Sequence, residues 1–155
     1  MRQSDRIDWR SESGQVAGVE VLPFGILTFV IGMLLVVNAW AVVDADLATT
    51  SAAREAVRAY VEAPNGDVAP WLAVAAATRA FGGHGRSVDS NSLSFAHEGD
   101  RPWGRCARVT VTVRHPMPAL RLPVIGGFGH AFDVVARQSE IIDPYRSGLA
   151  GEARC

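Results

Sequence analysis

From Val21 to Val43 the chain reads "VLPFGILTFVIGMLLVVNAWAVV", with no charged side chain. No other feature constrains the fold as strongly. The run is 23 residues long, and about 20 residues of helix cross the hydrocarbon of a bilayer. A cleaved signal peptide would have a shorter apolar core, about 7–15 residues, and a small-x-small cleavage site. Here the run is longer and passes without a loop into a further helical segment, which favours a permanent anchor. Arg2, Arg6 and Arg10 precede it, mixed with Asp5, Asp8 and Glu12. Asp44 and Asp46 follow it, with no base until Arg54. Orientation tracks basic residues and gives little weight to acids. The N-terminus is therefore expected in the cytoplasm and the C-terminus outside. Three segments result: a cytoplasmic arm or leader over 1–18, a transmembrane helix over 19–43, and an extracytoplasmic domain over 44–155.

The outer segment has roughly 110 residues, enough for a small core. The whole chain carries a formal charge of −1, with arginine but no lysine. That balance argues against nucleic acid as a partner, because phosphate binding needs a clustered basic face.

The membrane helix is expected to continue outside. "DADLATTSAAREAVRAYVEA", Asp44 to Ala63, has no Gly or Pro until Pro64. Leu47, Thr50, Ala53 (or Arg54), Val57 and Val61 (or Tyr60) recur at helical spacing. Pro64-Asn65-Gly66 then supplies turn residues. A second helix is predicted over 68–81, with Asp67 as N-cap, Pro70 in the first turn and Gly82-Gly83 at the end. Its apolar face would hold Trp71, Leu72, Ala75, Ala76 and Arg79.

Beyond Gly83 the period changes to two. "SLSFAH" reads as a strand through Leu93 and Phe95. "ARVTVTVRH" alternates most clearly: Val109, Val111 and Val113 face one way, Arg108, Thr110, Thr112 and Arg114 the other. Pro116 and Pro118 are expected to end it. "FDVVARQSEII", Phe132 to Ile142, predicts a third strand. The connection "PMPALRLPVIGGFGHA" cannot be regular throughout, and the tail after Pro144 reads as loosely ordered. The fold class is α+β: a long N-terminal helix, a short second helix and a three-stranded antiparallel sheet covered on one face.

No motif carries chemistry. His84, His97, His115 and His130 fall at no spacing that pairs two on a helix face, and HExxH, paired CxxC and GxSxG are absent. "FGGHGR" and "IGGFGHAF" lack the phosphate-loop and dinucleotide patterns and read as turns. No enzyme activity, cofactor or metal is expected.

The apolar run holds a more pointed pattern. Gly18, Gly25, Gly32 and Ala39 are spaced by seven, nearly two helical turns. A stripe of small residues lets another helix approach closely in lipid, although glycine is also simply frequent in membrane helices. Glu20 stands at the threshold as the lone acid. It suits the positive end of a helix dipole in reach of headgroup water, or a cationic partner within the membrane. Cys106 and Cys155 would be able to pair in an exported domain. Two free thiols, or an intermolecular link through Cys155, are the alternatives.

This layout resembles that of type IV pilin-like proteins and, more narrowly, the TadE-like proteins of tight-adherence (Flp) pilus systems. The resemblance rests on "SGQVAGVEVLP", Ser13 to Pro23, and on "ARVTVTVRHPMPALRLPVIGGFGHAFDVVARQSE", Ala107 to Glu140. It implies a minor-pilin or pseudopilin role in the cytoplasmic (inner) membrane, or within a surface pilus. Its partners would be other pilin-like subunits, the assembly machinery and a prepilin peptidase that cuts after a glycine and leaves the acid at the fifth mature position. A cut after Gly14 makes Gln15 the first residue and Glu20 the sixth. A cut after Gln15 restores the spacing but loses the glycine. Val21 stands where the Flp-type pattern has a tyrosine. The resemblance also implies that Glu20 meets the new N-terminal amine of a neighbouring subunit. Two readings compete with it: a solitary membrane-anchored extracytoplasmic binding module, and an enzyme whose cleft no motif reveals.

Overall fold

The apolar run and the Ala-rich segment after it form a single helix, α1 (Val21–Val61), in the computed structural model, which describes residues 21–122, 124–149 and 154–155. The leader and Gly14, Gln15, Gly18 and Glu20 lie outside the described residues. The chain divides into two units, one through Asn38 and one over Ala39–Cys155.

In the first unit the helix is apolar and outward-facing. Thr28 Oγ1 donates to the Phe24 carbonyl at 2.9 Å and Asn38 Nδ2 to the Leu34 carbonyl at 2.8 Å. Each bond pairs a side-chain donor with a carbonyl one turn earlier in the same helix.

The second unit has a continuous core. Ala48, Ala52, Ala53, Ala56, Val57 and Tyr60 of α1 pack with Ala69, Ala73, Ala77 and Phe81 of α2 (Ala69–Gly83). Of the expected face of α1, Ala53, Val57 and Tyr60 are buried, whereas Leu47 is 58% exposed while the alanines beside it are sealed. On α2, Trp71 and Leu72 are exposed, as are Ala75 and Arg79, and of the predicted face only Ala76 is buried. The buried positions of both helices are mainly alanines, with Val57, Tyr60 and Phe81 as the larger side chains of the shared core.

The ends of α2 also differ from expectation. Asp67 does not cap it. The N-cap position, Val68, has no side-chain capping bond; Asn65 Oδ1 accepts from the N–H groups of Asp67 and Val68, at 3.1 Å each, in the turn before the helix. Gly82 and Gly83 lie within the helix, and Gly85 closes it. Gly85 adopts φ +65°, its N–H donates to the Gly82 carbonyl, and the Arg86 N–H reaches back to Phe81. That paired pattern needs one left-handed residue, which glycine supplies at no steric cost.

The sheet has the order β1-β2-β5, all antiparallel, with β1 at Leu93–His97, β2 at Arg108–Met117 and β5 at Phe132–Ile141. Val109, Val111 and Val113 are fully buried against the helices, while Arg108 and Arg114 are exposed. Burying each valine contributes about 1.5–2 kcal/mol. β2 does not end at Pro116. It continues to Met117, with Pro116 opposite Asp133. β1 pairs only with Val109–Val113, so Pro116 sits where β2 has one neighbour, and its missing N–H leaves no ladder bond unmade. The glycine-rich connection folds into a small ladder, β3 (Leu120–Leu122) with β4 (Gly126–Phe128).

The segment after Pro144 is tied down rather than loose over its described part. Arg146 donates to the carbonyls of Val61 and Glu62 at 2.9 and 3.0 Å. It thereby satisfies acceptors that the end of α1 leaves open. Arg105 in turn donates to the Arg146 carbonyl at 3.0 Å.

Candidate functional site

The surface most plainly prepared for contact is the apolar part of α1. Phe24, Phe29, Met33, Leu35 and Val36 are each 60% exposed or more. The helix is long and apolar enough to cross a membrane, with a mean hydropathy of 2.5 over its most apolar window. Gly25 and Gly32 lie on it with open space where a side chain would start: an added Cβ at either would meet nothing within 4 Å. Ala39, one repeat further on, is also exposed. The described members of the small-residue stripe are thus uncovered by this chain itself.

Where the apolar run ends, a polar junction begins. Asp44 Oδ2 accepts from Arg86 Nη2 at 2.7 Å and from Arg86 Nε at 3.2 Å. The same guanidinium donates to the Ala41 carbonyl at 3.4 Å and faces His115 Nε2 at 3.3 Å. Its side chain is only 12% exposed. Arg86 follows the turn that closes α2, Asp44 and Ala41 belong to α1, and His115 belongs to β2, so one side chain joins three elements. Burial, then Arg86 and Arg121, hold the His115 pKa below its ordinary 6.5. A neutral imidazole keeps a lone pair to accept from Arg86, which an imidazolium lacks.

Sequence reasoning missed this junction, because Asp44, Arg86 and His115 are separated by 42 and 29 residues. His97 is the last residue of β1. His97 Nε2 lies 3.1 Å from the Tyr60 hydroxyl, and Tyr60 stacks on Phe95 with centroids 5.1 Å apart.

At the other end of β2, Cys106 and Cys155 form a disulfide across 49 positions. Cys106 sits at φ +62° and is bracketed by β-type bonds, its N–H to the Ile142 carbonyl and the Ile142 N–H to the Ala107 carbonyl. Beside it is an open cavity of about 390 Å³ lined by Glu98, Arg101, Arg108 and the disulfide. Glu98 and Arg108 pair there at 3.0 Å. This lining offers charge but no hydroxyl, free thiol or imidazole. Among the described residues no cluster of three or more His, Cys, Asp or Glu side chains is arranged to hold a metal.

In comparisons with known proteins, no family model, no curated protein and no solved structure matches the chain.

Proposed function

We propose that this chain is a non-enzymatic, single-pass membrane component of a pilus or secretion assembly of the TadE-like, pilin-related kind. The apolar part of α1 would be its anchor and its packing surface. The observation that carries the reading is one uninterrupted helix, Val21–Val61, with exposed apolar residues in its first half and an Ala-lined core face in its second. A helix built this way gives lipid or sister helices one half and a small α+β domain the other. The bare positions at Gly25 and Gly32 suit close approach by another helix. The Cys106–Cys155 disulfide supports an N-in, C-out orientation, because such bonds persist outside the reducing cytoplasm.

Processing is tested by the intact mass of the membrane-extracted protein, made with and without a prepilin peptidase. The expected outcome is a peptidase-dependent loss corresponding to cleavage at Gly14 or Gln15. A full-length chain in both cases favours an unprocessed component of the same kind or the solitary anchored module instead.

A further inference from the structure

β2 runs antiparallel to α1 along the core. Its start lies near the far end of α1, where His97, opposite Val109, meets Tyr60. Its last residue, Met117, packs with Val134 against Ala41 and Ala45. The chain leaves β2 there and enters the β3–β4 hairpin. Arg121 of β3 lies within electrostatic reach of both Asp44 and His115. Asp44 directly follows Val43, the last residue of the apolar run. The hairpin is therefore emitted at the level where the apolar run stops.

Its tip is apolar and bare. Val124 is fully exposed, Ile125 is 70% exposed and Phe128 48%. From Val124 to Gly129 no side chain is polar. Val124 also holds φ +72°, a conformation unusual for a β-branched residue. Gly127, midway along β4, lies close against the chain that enters the hairpin, since a Cβ there would fall 2.6 Å from Pro118 Cγ. Trp40 of α1, at the same end of the domain, is 73% exposed, and tryptophan is enriched where membrane meets water.

We propose that the β3–β4 hairpin is a second membrane contact, with Val124, Ile125 and Phe128 entering the lipid interface at the level where the apolar run of α1 ends. The inference rests on the reading that α1 crosses the bilayer. A lipid surface fits better than a protein partner for two reasons. The tip has no side-chain donors or acceptors with which to specify a partner. A bilayer bound by α1 would also lie at this level whenever the chain is inserted.

The test uses the full-length chain in vesicles of phosphatidylcholine and phosphatidylglycerol. A nitroxide is placed at Ile125→Cys, with separate labels at Val30→Cys in the span and Glu140→Cys at the far end of the sheet; the native cysteines remain in their disulfide. Collisions with oxygen, which partitions into lipid, are compared with those of a water-soluble nickel chelate. The expected result is an oxygen-to-nickel ratio at position 125 several-fold above that at position 140 and below that at position 30. A position-125 label as open to nickel as position 140, with position 30 still in lipid, overturns the hairpin contact alone. Nickel access at position 30 overturns the membrane reading of α1 and the hairpin with it. Spin–spin broadening at position 125 that vanishes on dilution with unlabelled chain shows a second copy covering the tip, and also overturns the proposal.

Discussion

Arg86 meets acceptors on two elements and follows a third, so one guanidinium fastens α1, β2 and the end of α2. The arrangement depends on a neutral His115. Folding lowers the His115 pKa below 6.5, so the unfolded chain binds more protons in that window. The stability this adds is complete above about pH 6.5 and is lost as pH falls through the folded value. His115→Gln keeps a carbonyl acceptor for Arg86 and removes the titration. Urea midpoints in detergent are expected to fall on acidification below about pH 6.5 in the wild type, and to fall less steeply in the variant. Parallel curves would show that His115 does not contribute. At the opposite end of β2, the disulfide closes a long loop. For a separation of 49 residues, loop-closure entropy predicts a stabilisation of about 4 kcal/mol. Cys155→Ser should lower unfolding stability by that order, and reductant should do the same to the wild type. Equal midpoints with and without reductant would contradict it.

At the scale of elements, the helices contribute mainly alanines to the core. Ala52 and Ala77 are fully buried while Leu47 stands outside. Ala52→Leu forces a larger side chain into a packed core and is expected to cost about 1–3 kcal/mol. Leu47→Ala should change stability by less than about 0.5 kcal/mol. Both are read from denaturant midpoints of the full chain in detergent. The reverse order would mean that Leu47, and not Ala52, is packed in the core. The sheet shows the same dependence on neighbours. A proline inside β2 is tolerated only beyond the reach of β1, where the ladder is one-sided.

For the whole molecule, the proposed assembly role turns on an acid and a stripe. A carboxylate at the membrane edge is costly unless hydrated or paired. If Glu20 meets a neighbouring subunit's amine, Glu20→Ala should insert normally yet abolish piliation in cells that otherwise make pili. Membrane fractionation reads the first outcome and electron microscopy the second. Unchanged piliation would assign Glu20 to its own helix end. The hairpin contact belongs to the same scale, since it would restrain the domain at two points on the bilayer rather than one.

Local pattern was enough to read the apolar run, the long helix after it, the alternation of Val109, Val111 and Val113, and hence an α+β class with a three-stranded sheet. Those features repeat at the period of a helix or a strand, so they are written in neighbouring residues. The fold decided what depends on the residue opposite. It set the outward turn of Leu47 and of Trp71, and the passage of β2 through Pro116. It also brought Asp44, Arg86 and His115 together, joined Cys106 to Cys155, and made a hairpin of a segment that reads as irregular. Each of these is settled by close approach, ladder edges or partners tens of residues away, and local periodicity carries no information about them. Gly14, Gln15, Gly18 and Glu20 belong to the sequence reading alone, while Gly25, Gly32 and Ala39 stand exposed on the helix where that reading placed them.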